Sequence, residues 1–201
     1  MKKIILTVAA VFAFGFANAQ DKKESSEGFS KGDVFVTGAF SFNSTKDNNA
    51  PESKTNFFEL APQVNYFLTE NISLGAKVGF SSDKAETANV DTKDMSTVTF
   101  GLQGRYYFTP ASKFSLFTGL GFDYNSKTNN LSTPEVKTNG FDVTLDLGLN
   151  YFVAENWSIE ANFAALNFAS EKVDVSGAEN ETSFGLGANM RAISFGVNYK
   201  F

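Results

Sequence analysis

Charged side chains are the residues of this sequence that could do chemistry, because its 201 residues include no histidine and no cysteine. The chain therefore has no imidazole base, no thiol nucleophile and no His or Cys metal ligand. Asp142 and Asp146 stand two pleats apart in a strongly alternating stretch. Alternation places both on one side of a strand, where interior-filling acceptors are the favoured interpretation over an acid and base pair. We expect no catalytic residue, no metal site and no cofactor.

Further charges share the side of the alternating stretches that carries small and polar residues. If such strands close into a barrel, these charges point into its narrow lumen. Isolated charges there are costly, so these groups should pair and hydrogen-bond. Arg105 should come within reach of Glu59 or Glu160, and the sequence leaves its partner open. We expect a polar plug, with an ion path as the alternative. The predicted lumen charge network consists of Glu59, Lys77, Arg105, Asp123, Asp142, Asp146, Glu160 and Lys200.

The elements that must position these charges are β-strands, and the last stretch shows the pattern best. Apolar and polar residues take turns there to the final residue, which predicts a strand with one apolar face. Tyrosines in similar contexts recur at intervals of roughly 45 residues, enough for a two-stranded unit with one short and one long connection. The tyrosines are Tyr66, Tyr106, Tyr151 and Tyr199, and the apolar residues of the last stretch are Ile193, Phe195, Val197, Tyr199 and Phe201.

Four such units predict eight strands with tight turns on one side and long polar loops on the other. Pro62 removes one ladder hydrogen bond from the second strand. The alternation also slips near Ala164 to Leu166, and a β-bulge is expected near Arg191. The predicted long loops are residues 43–56, 82–95, 125–139 and 169–182.

The residue types on the two faces favour a barrel in a membrane. An eight-stranded barrel has interior room only for modest side chains, so the small polar face should point inward and the bulky apolar face outward, to lipid. Interfacial aromatics fit this arrangement, whereas an aromatic-rich β-sandwich and a soluble barrel are the alternatives. The expected belts are Tyr66, Tyr106, Tyr151, Trp157, Tyr199 and Phe201 beside the turns, and Phe42, Phe80, Phe100, Phe122, Tyr124 and Phe141 near the loops.

The N-terminal region reads as an export signal. Lys2 and Lys3 precede an apolar core, and Ala17-Asn18-Ala19 provides a small-x-small cleavage site, so we expect a signal peptide over residues 1–19 and a mature start at Gln20. Residues 20–32 are charged and aperiodic, which predicts a flexible leader. The formal net charge of −5 is unlike that of a nucleic-acid binder.

With these residues in view, the chain from 33 to 201 resembles small eight-stranded outer-membrane proteins of the OmpA, OmpX and opacity type, in the broad group of porin-family barrels. The resemblance implies an all-β, antiparallel, up-and-down transmembrane barrel in the outer membrane of a Gram-negative-type envelope. It also implies that Tyr199 and Phe201 belong to the strand read by the barrel assembly machinery.

For function, the resemblance implies a non-enzymatic protein with a structural or adhesive role through its long extracellular loops. A small passive channel is the alternative, and a lipid-modifying barrel enzyme without histidine is a further one. Outer-membrane lipid and the assembly machinery are the expected partners, and we expect a monomer. The surface ligand stays open.

Overall fold

A computed structural model describes residues 27–38, 40–187 and 194–201, and within them every regular element is a β-strand. No helix in this described part is long and apolar enough to cross a membrane. The strand segments are β1 (Val34–Gly38), β2 (Phe40–Asp47), β3 (Ser53–Leu60), β4 (Gln63–Phe67), β5 (Ile72–Thr87), β6 (Val90–Tyr107), β7 (Phe114–Asn129), β8 (Val136–Ala154), β9 (Trp157–Val173), β10 (Glu181–Gly187) and β11 (Ser194–Lys200).

These segments form one closed antiparallel barrel. Segment β1 pairs with β4 on one side and with β11 on the other, so the first and last barrel strands meet. The remaining pairings follow chain order around the barrel. The first, second and eighth barrel strands each consist of two segments, β1 with β2, β3 with β4, and β10 with β11. The architecture is therefore the predicted all-β, eight-stranded, up-and-down barrel.

Interruptions of the alternation are visible as interruptions of the ladder. The second barrel strand breaks at Ala61 and Pro62, between β3 and β4, where proline cannot donate a ladder hydrogen bond. The pairing of β8 with β9 shifts between Leu147 and Gly148, close to the slip read from the sequence near Ala164. The bulge expected near Arg191 lies outside the described residues.

The four predicted long loops are wrong in extent, because most of their residues continue the strands. Only 48–52, Ala88–Asn89, 130–135 and 174–180 connect the pairs at this end of the barrel. The Ala88–Asn89 turn has φ values of 52° and 62°, the left-handed conformation of two-residue hairpin turns. A pair of strands that is exposed to water does not need an apolar face. The polar residues of the predicted loops can therefore continue the strands. We call this end the hairpin end.

The opposite end, which we call the turn end, carries the tight connections 68–71, 108–113 and 155–156. Apolar side chains between the two ends point outward, as the predicted inside and outside assignment requires. Leu147 is 44% exposed in the middle of β8, and Leu102 on β6 is 65% exposed. The belt residues beside the turns are also exposed: Tyr66, Tyr106, Tyr151 and Trp157.

The last residues of the predicted N-terminal leader, from 27 to 32, are described by the structure. Residues 1–26, with the predicted signal peptide, its cleavage site and most of the leader, lie outside the described residues. From Phe29 onward the chain is fixed to the barrel, because the Phe29 side chain is 1% exposed and its backbone N–H donates to the Pro110 carbonyl at 2.7 Å. The sequence around Phe29 does not predict this attachment, because a single buried aromatic residue produces no periodic pattern.

Candidate functional site: the barrel lumen

The turn end of the lumen is filled by aromatic rings. We call this group the inner aromatic cluster, and its members are Phe29, Phe35, Phe67, Tyr107, Phe117 and Phe152. The Phe29 ring lies 4.7 Å from the ring of Phe35, 4.8 Å from those of Phe67 and Phe152, and 5.5 Å from that of Tyr107. Every ring of the cluster is at most 1% exposed. Such contacts combine apolar burial with favourable ring geometry, so apolar rings occupy the lumen at this level.

Sequence reasoning missed this cluster, because it assigned only modest side chains to the interior. Strand alternation did place Phe67, Phe117 and Phe152 on the inward side, and that signal could have found them. Room for the rings comes from small neighbours. A Cβ added at Gly148 would overlap the Phe117 ring, so the glycine makes the space that the ring fills.

The N-terminal segment is also held to the lumen mouth by contacts of Glu27 and Gly28, the two residues before Phe29. The Lys200 ammonium donates to the Gly28 carbonyl at 2.5 Å, and Lys113 pairs with Glu27 at 3.1 Å. Gly28 packs against the turn between β6 and β7 so closely that a Cβ would overlap the Ala111 backbone. The segment therefore connects the last barrel strand to the middle turn across the lumen mouth.

An ion pair lies directly beside the inner aromatic cluster. Arg105 Nη1 and Nη2 donate to the two Glu160 carboxylate oxygens at 2.8 and 3.1 Å. The two side chains are only 5% and 3% exposed. Arg105 also stacks over the Phe117 ring at 4.8 Å and donates from Nε to Gln103 Oε1 at 3.0 Å. The two hydrogen bonds from the Arg105 guanidinium to the Glu160 carboxylate form a bidentate contact, which fixes the orientation of both side chains.

Amides and hydroxyls complete this polar layer. Asn198 Nδ2 donates to Glu160 Oε2, to Asn150 Oδ1 and to Ser158 Oγ, each at 3.1 Å. Gln63 donates to Gln103 Oε1 at 3.0 Å, which links the second and fourth barrel strands. The layer therefore joins residues from strands all around the lumen.

Toward the hairpin end the lumen becomes wetter and its charges less buried. Lys77 pairs with Asp123 at 2.6 Å, with both side chains about a quarter exposed. Together with Glu59 they line a polar cavity of about 150 Å³. The lumen therefore becomes less polar from this cavity toward the inner aromatic cluster at the turn end.

The predicted lumen charges thus do not form one continuous network, although Gln103 links Asp146 to the pair of Arg105 and Glu160. Asp142 accepts a hydrogen bond from Asn125, and Asp146 accepts one from Gln103 at 3.3 Å. The two carboxylates therefore have different amide partners, as lumen acceptors do. Lys200 joins the N-terminal segment described above, and Arg105 selects Glu160.

Charge pairs also stabilise the hairpin beyond the apolar zone. Lys84 on β5 donates to Asp94 on β6 at 2.9 Å, directly across the ladder. This hydrogen bond raises the pKa of Lys84 and lowers the pKa of Asp94. In the part of the chain that the structure describes, no group of three or more acidic side chains is arranged to hold a metal ion.

Fold and lumen together define a class: a small antiparallel barrel with an apolar outside, a polar interior and long hairpins at one end. Residues 6–201 match the family described as the outer membrane protein beta-barrel domain, and the chain belongs to that family. Its place is accordingly the outer membrane. No curated protein sequence matches the chain.

Solved structures resemble the chain in fold. The outer membrane protein OprG from Pseudomonas aeruginosa aligns with a TM-score of 0.52 at 15% identity, covering 88% of this chain and 99% of that one. The neisserial surface protein A aligns with a TM-score of 0.47 at 16% identity over 84% of this chain and 96% of that one. The N-terminal barrel domain of OprF, also from Pseudomonas aeruginosa, aligns at 0.44 and 14% identity over 86% and 100%.

Proposed function

We propose that this protein is a closed, non-enzymatic outer-membrane barrel that acts as a structural or surface-binding frame for its hairpins. The observation that carries the proposal is the inner aromatic cluster, with Phe29 inserted across the turn end of the lumen. The buried pair of Arg105 and Glu160 supports it, because a conducting path would have to pass this layer as well. The turn end faces the periplasm and the hairpins face the exterior in this proposal, as short turns and long connections do in such barrels.

The surface role rests on the character of the hairpins. Beyond the apolar zone they present mixed Lys, Asp, Glu, Asn and Thr on extended ladders, and cross-strand ion pairs such as Lys84 with Asp94 hold them in place. A ladder fixes side-chain positions better than a free loop does, which lowers the entropy cost of binding. The chemistry of the ligand stays open.

A small passive channel is the second candidate, favoured by the polar cavity around Lys77, Asp123 and Glu59. Purified protein in planar bilayers separates the two functions. We expect no sustained conductance from the wild type, because aromatic packing and the ion-pair layer block the lumen in series. Stable, cation-selective currents from the wild type would establish the channel.

Phe29→Ala tests which element closes the mouth. We expect brief, small openings from this variant, since the ion-pair layer remains while the aromatic packing loosens. Phe122→Ala is the matched control: Phe122 is 48% exposed on the outer face, so the same substitution should leave the bilayer silent. Identical records from Phe29→Ala and Phe122→Ala would show that Phe29 does not contribute to closure.

Export and assembly complete the proposal. We propose that the chain is secreted with its signal cleaved before Gln20, inserts as a monomer among outer-membrane lipids and is recognised by the assembly machinery through its closing strand. The aromatic ladder on that strand supports recognition: Tyr199 lies 4.9 Å from Trp157 and 5.0 Å from Phe201, ring centre to ring centre.

Deleting Phe201 should reduce membrane assembly more than it reduces folded-state stability. The folded barrel loses one aromatic contact, about 1 kcal/mol, and the Phe201 N–H bond to the Val34 carbonyl. Heat-modifiable gel mobility of the purified protein measures stability, and the amount in the outer-membrane fraction measures assembly. Phe108→Ala, an exposed aromatic at the same end, is the control. Undiminished yield of the deletion variant would contradict the recognition role.

A further inference from the structure

The outer face of the β2–β3 pair changes chemistry in steps toward the hairpin end. Phe42 lies opposite Phe58, and two residues further Ser44 lies opposite Asn56, with Ser44 Oγ donating to Asn56 Oδ1 at 2.9 Å. Two residues beyond that pair, Lys46 lies directly opposite Lys54. Alternation puts all three pairs on the same outward face. The face therefore runs from aromatic to neutral polar to cationic.

The facing lysines belong to a set of described lysines that have no carboxylate partner. Lys77, Lys84, Lys93, Lys113 and Lys127 each pair with a carboxylate. For Lys46, Lys54, Lys137 and Lys172, no carboxylate among the described residues lies within the 4.0 Å of an ion pair. Of these four, only Lys46 and Lys54 lie directly opposite each other on a ladder, since Lys137 faces Thr128 and Lys172 faces Asn139. Like charges directly opposite on a ladder are destabilising. A bound anion between the two ammonium groups would remove this repulsion.

Two carboxylates face the same depression without reaching the lysines. Glu86 on β5 lies opposite Lys54, and Glu52 lies in the connection between β2 and β3. With Lys46, Ser53 and Lys54 they line a surface depression of about 310 Å³. The depression is large enough to admit a further group beside the lysines.

The height of the lysine pair matches the headgroup region of a bilayer. Four residues separate Phe42 from Lys46, about 13 Å along a strand and less along the membrane normal, because barrel strands are tilted. Aromatic residues occupy the interface, and lysine stems extend along apolar surface while their ammonium groups stay in the polar region. Phosphate groups of lipids occupy that region.

We propose that Lys46 and Lys54 together bind the phosphate of an anionic lipid headgroup in the leaflet at the hairpin end. The proposal rests on the membrane orientation given under the proposed function, and it makes no use of the closed lumen. Each ammonium supplies charge and hydrogen-bond donors, and the Ser44 and Asn56 pair below them faces the linking region of the same lipid.

Lipid retention tests the site directly. The purified barrel in detergent is titrated with phosphatidylglycerol or with phosphatidylcholine, and bound lipid is counted by native mass spectrometry. Each lysine near an anionic headgroup contributes about five-fold in affinity, so Lys46→Gln with Lys54→Gln should weaken phosphatidylglycerol binding by about 25-fold. Phosphatidylcholine binding should not change. Lys46→Arg with Lys54→Arg should retain phosphatidylglycerol.

Two further variants give the test its controls. Lys113→Gln removes one lysine charge at the turn end and should not affect retention. Glu86→Gln should strengthen retention, because it removes a carboxylate that faces the site. Unchanged binding by the double glutamine variant, or an equal loss with Lys113→Gln, overturns the proposal.

Heat stability supplies an independent readout and identifies the source of the phosphate. In phosphatidylcholine vesicles the double glutamine variant should be at least as stable as the wild type, because the facing charges no longer repel. Added phosphatidylglycerol should stabilise only the wild type. If inorganic phosphate alone stabilises the wild type equally well in phosphatidylcholine vesicles, the ligand is a soluble anion and the lipid proposal fails. Conductance in planar bilayers tests only the proposed function. Its result does not affect the test of the lipid site.

Discussion

Arg105→Ala should lower the free energy of unfolding of the barrel by about 3–5 kcal/mol, because it leaves the buried Glu160 carboxylate without its cation. Both donors of the bidentate contact are lost, and the Asn198 amide remains as the donor that the structure shows on this carboxylate. The stacking of the guanidinium on Phe117 disappears as well. Unfolding in urea with the protein in lipid vesicles, followed by gel mobility of unheated samples, measures the change.

Lys77→Ala is the matched control for Arg105→Ala. It also removes one cation of a lumen ion pair, but Lys77 and Asp123 are 28% and 26% exposed and can exchange their contact for water. The expected loss is at most about 1 kcal/mol. A double variant with Arg105→Met and Glu160→Leu should recover much of the loss, since no buried charge is left unpaired. A wild-type-like Arg105→Ala would mean that water reaches this layer and that the lumen is open to solvent.

Leu147→Arg should cost about 2–4 kcal/mol in a bilayer, because it places a charge on the lipid face near the membrane midplane. Leu147 is 44% exposed in the apolar middle of β8, where its neighbours on the same face of the strand are Leu145 and Leu149. The arginine can reach water only by extending its side chain along the barrel surface. The same unfolding measurement in vesicles of matched lipid gives the difference.

Thr144→Ser, three residues away on β8, should cost little. Thr144 points inward, its hydroxyl accepts a hydrogen bond from Asn167 Nδ2 at 3.1 Å, and serine keeps that hydroxyl. The pair of substitutions therefore tests the inside and outside assignment rather than the general tolerance of the strand. Equal effects at Leu147 and Thr144 would show that the assignment is wrong.

The amino-acid sequence by itself determined the number of barrel strands and their faces, but not how far the strands extend at the hairpin end. A period of two is a local property, visible in any stretch long enough to alternate, as in Phe141 to Tyr151 on β8. The same local rule located the break at Pro62 and the slip near Ala164. It also placed Arg105, Glu160 and Lys77 on the inward face, because each residue's side follows from its neighbours alone.

The tertiary structure alone decided which inward groups meet. Arg105 could have paired with Glu59 or Glu160, and the choice depends on the stagger and tilt of strands around the closed barrel, which alternation does not encode. The position of Phe29 depends on a lumen mouth built by residues from β1, β4, β6 and β8. The hairpins likewise needed their partner strands, since a polar stretch becomes a ladder only where a neighbour supplies the hydrogen bonds.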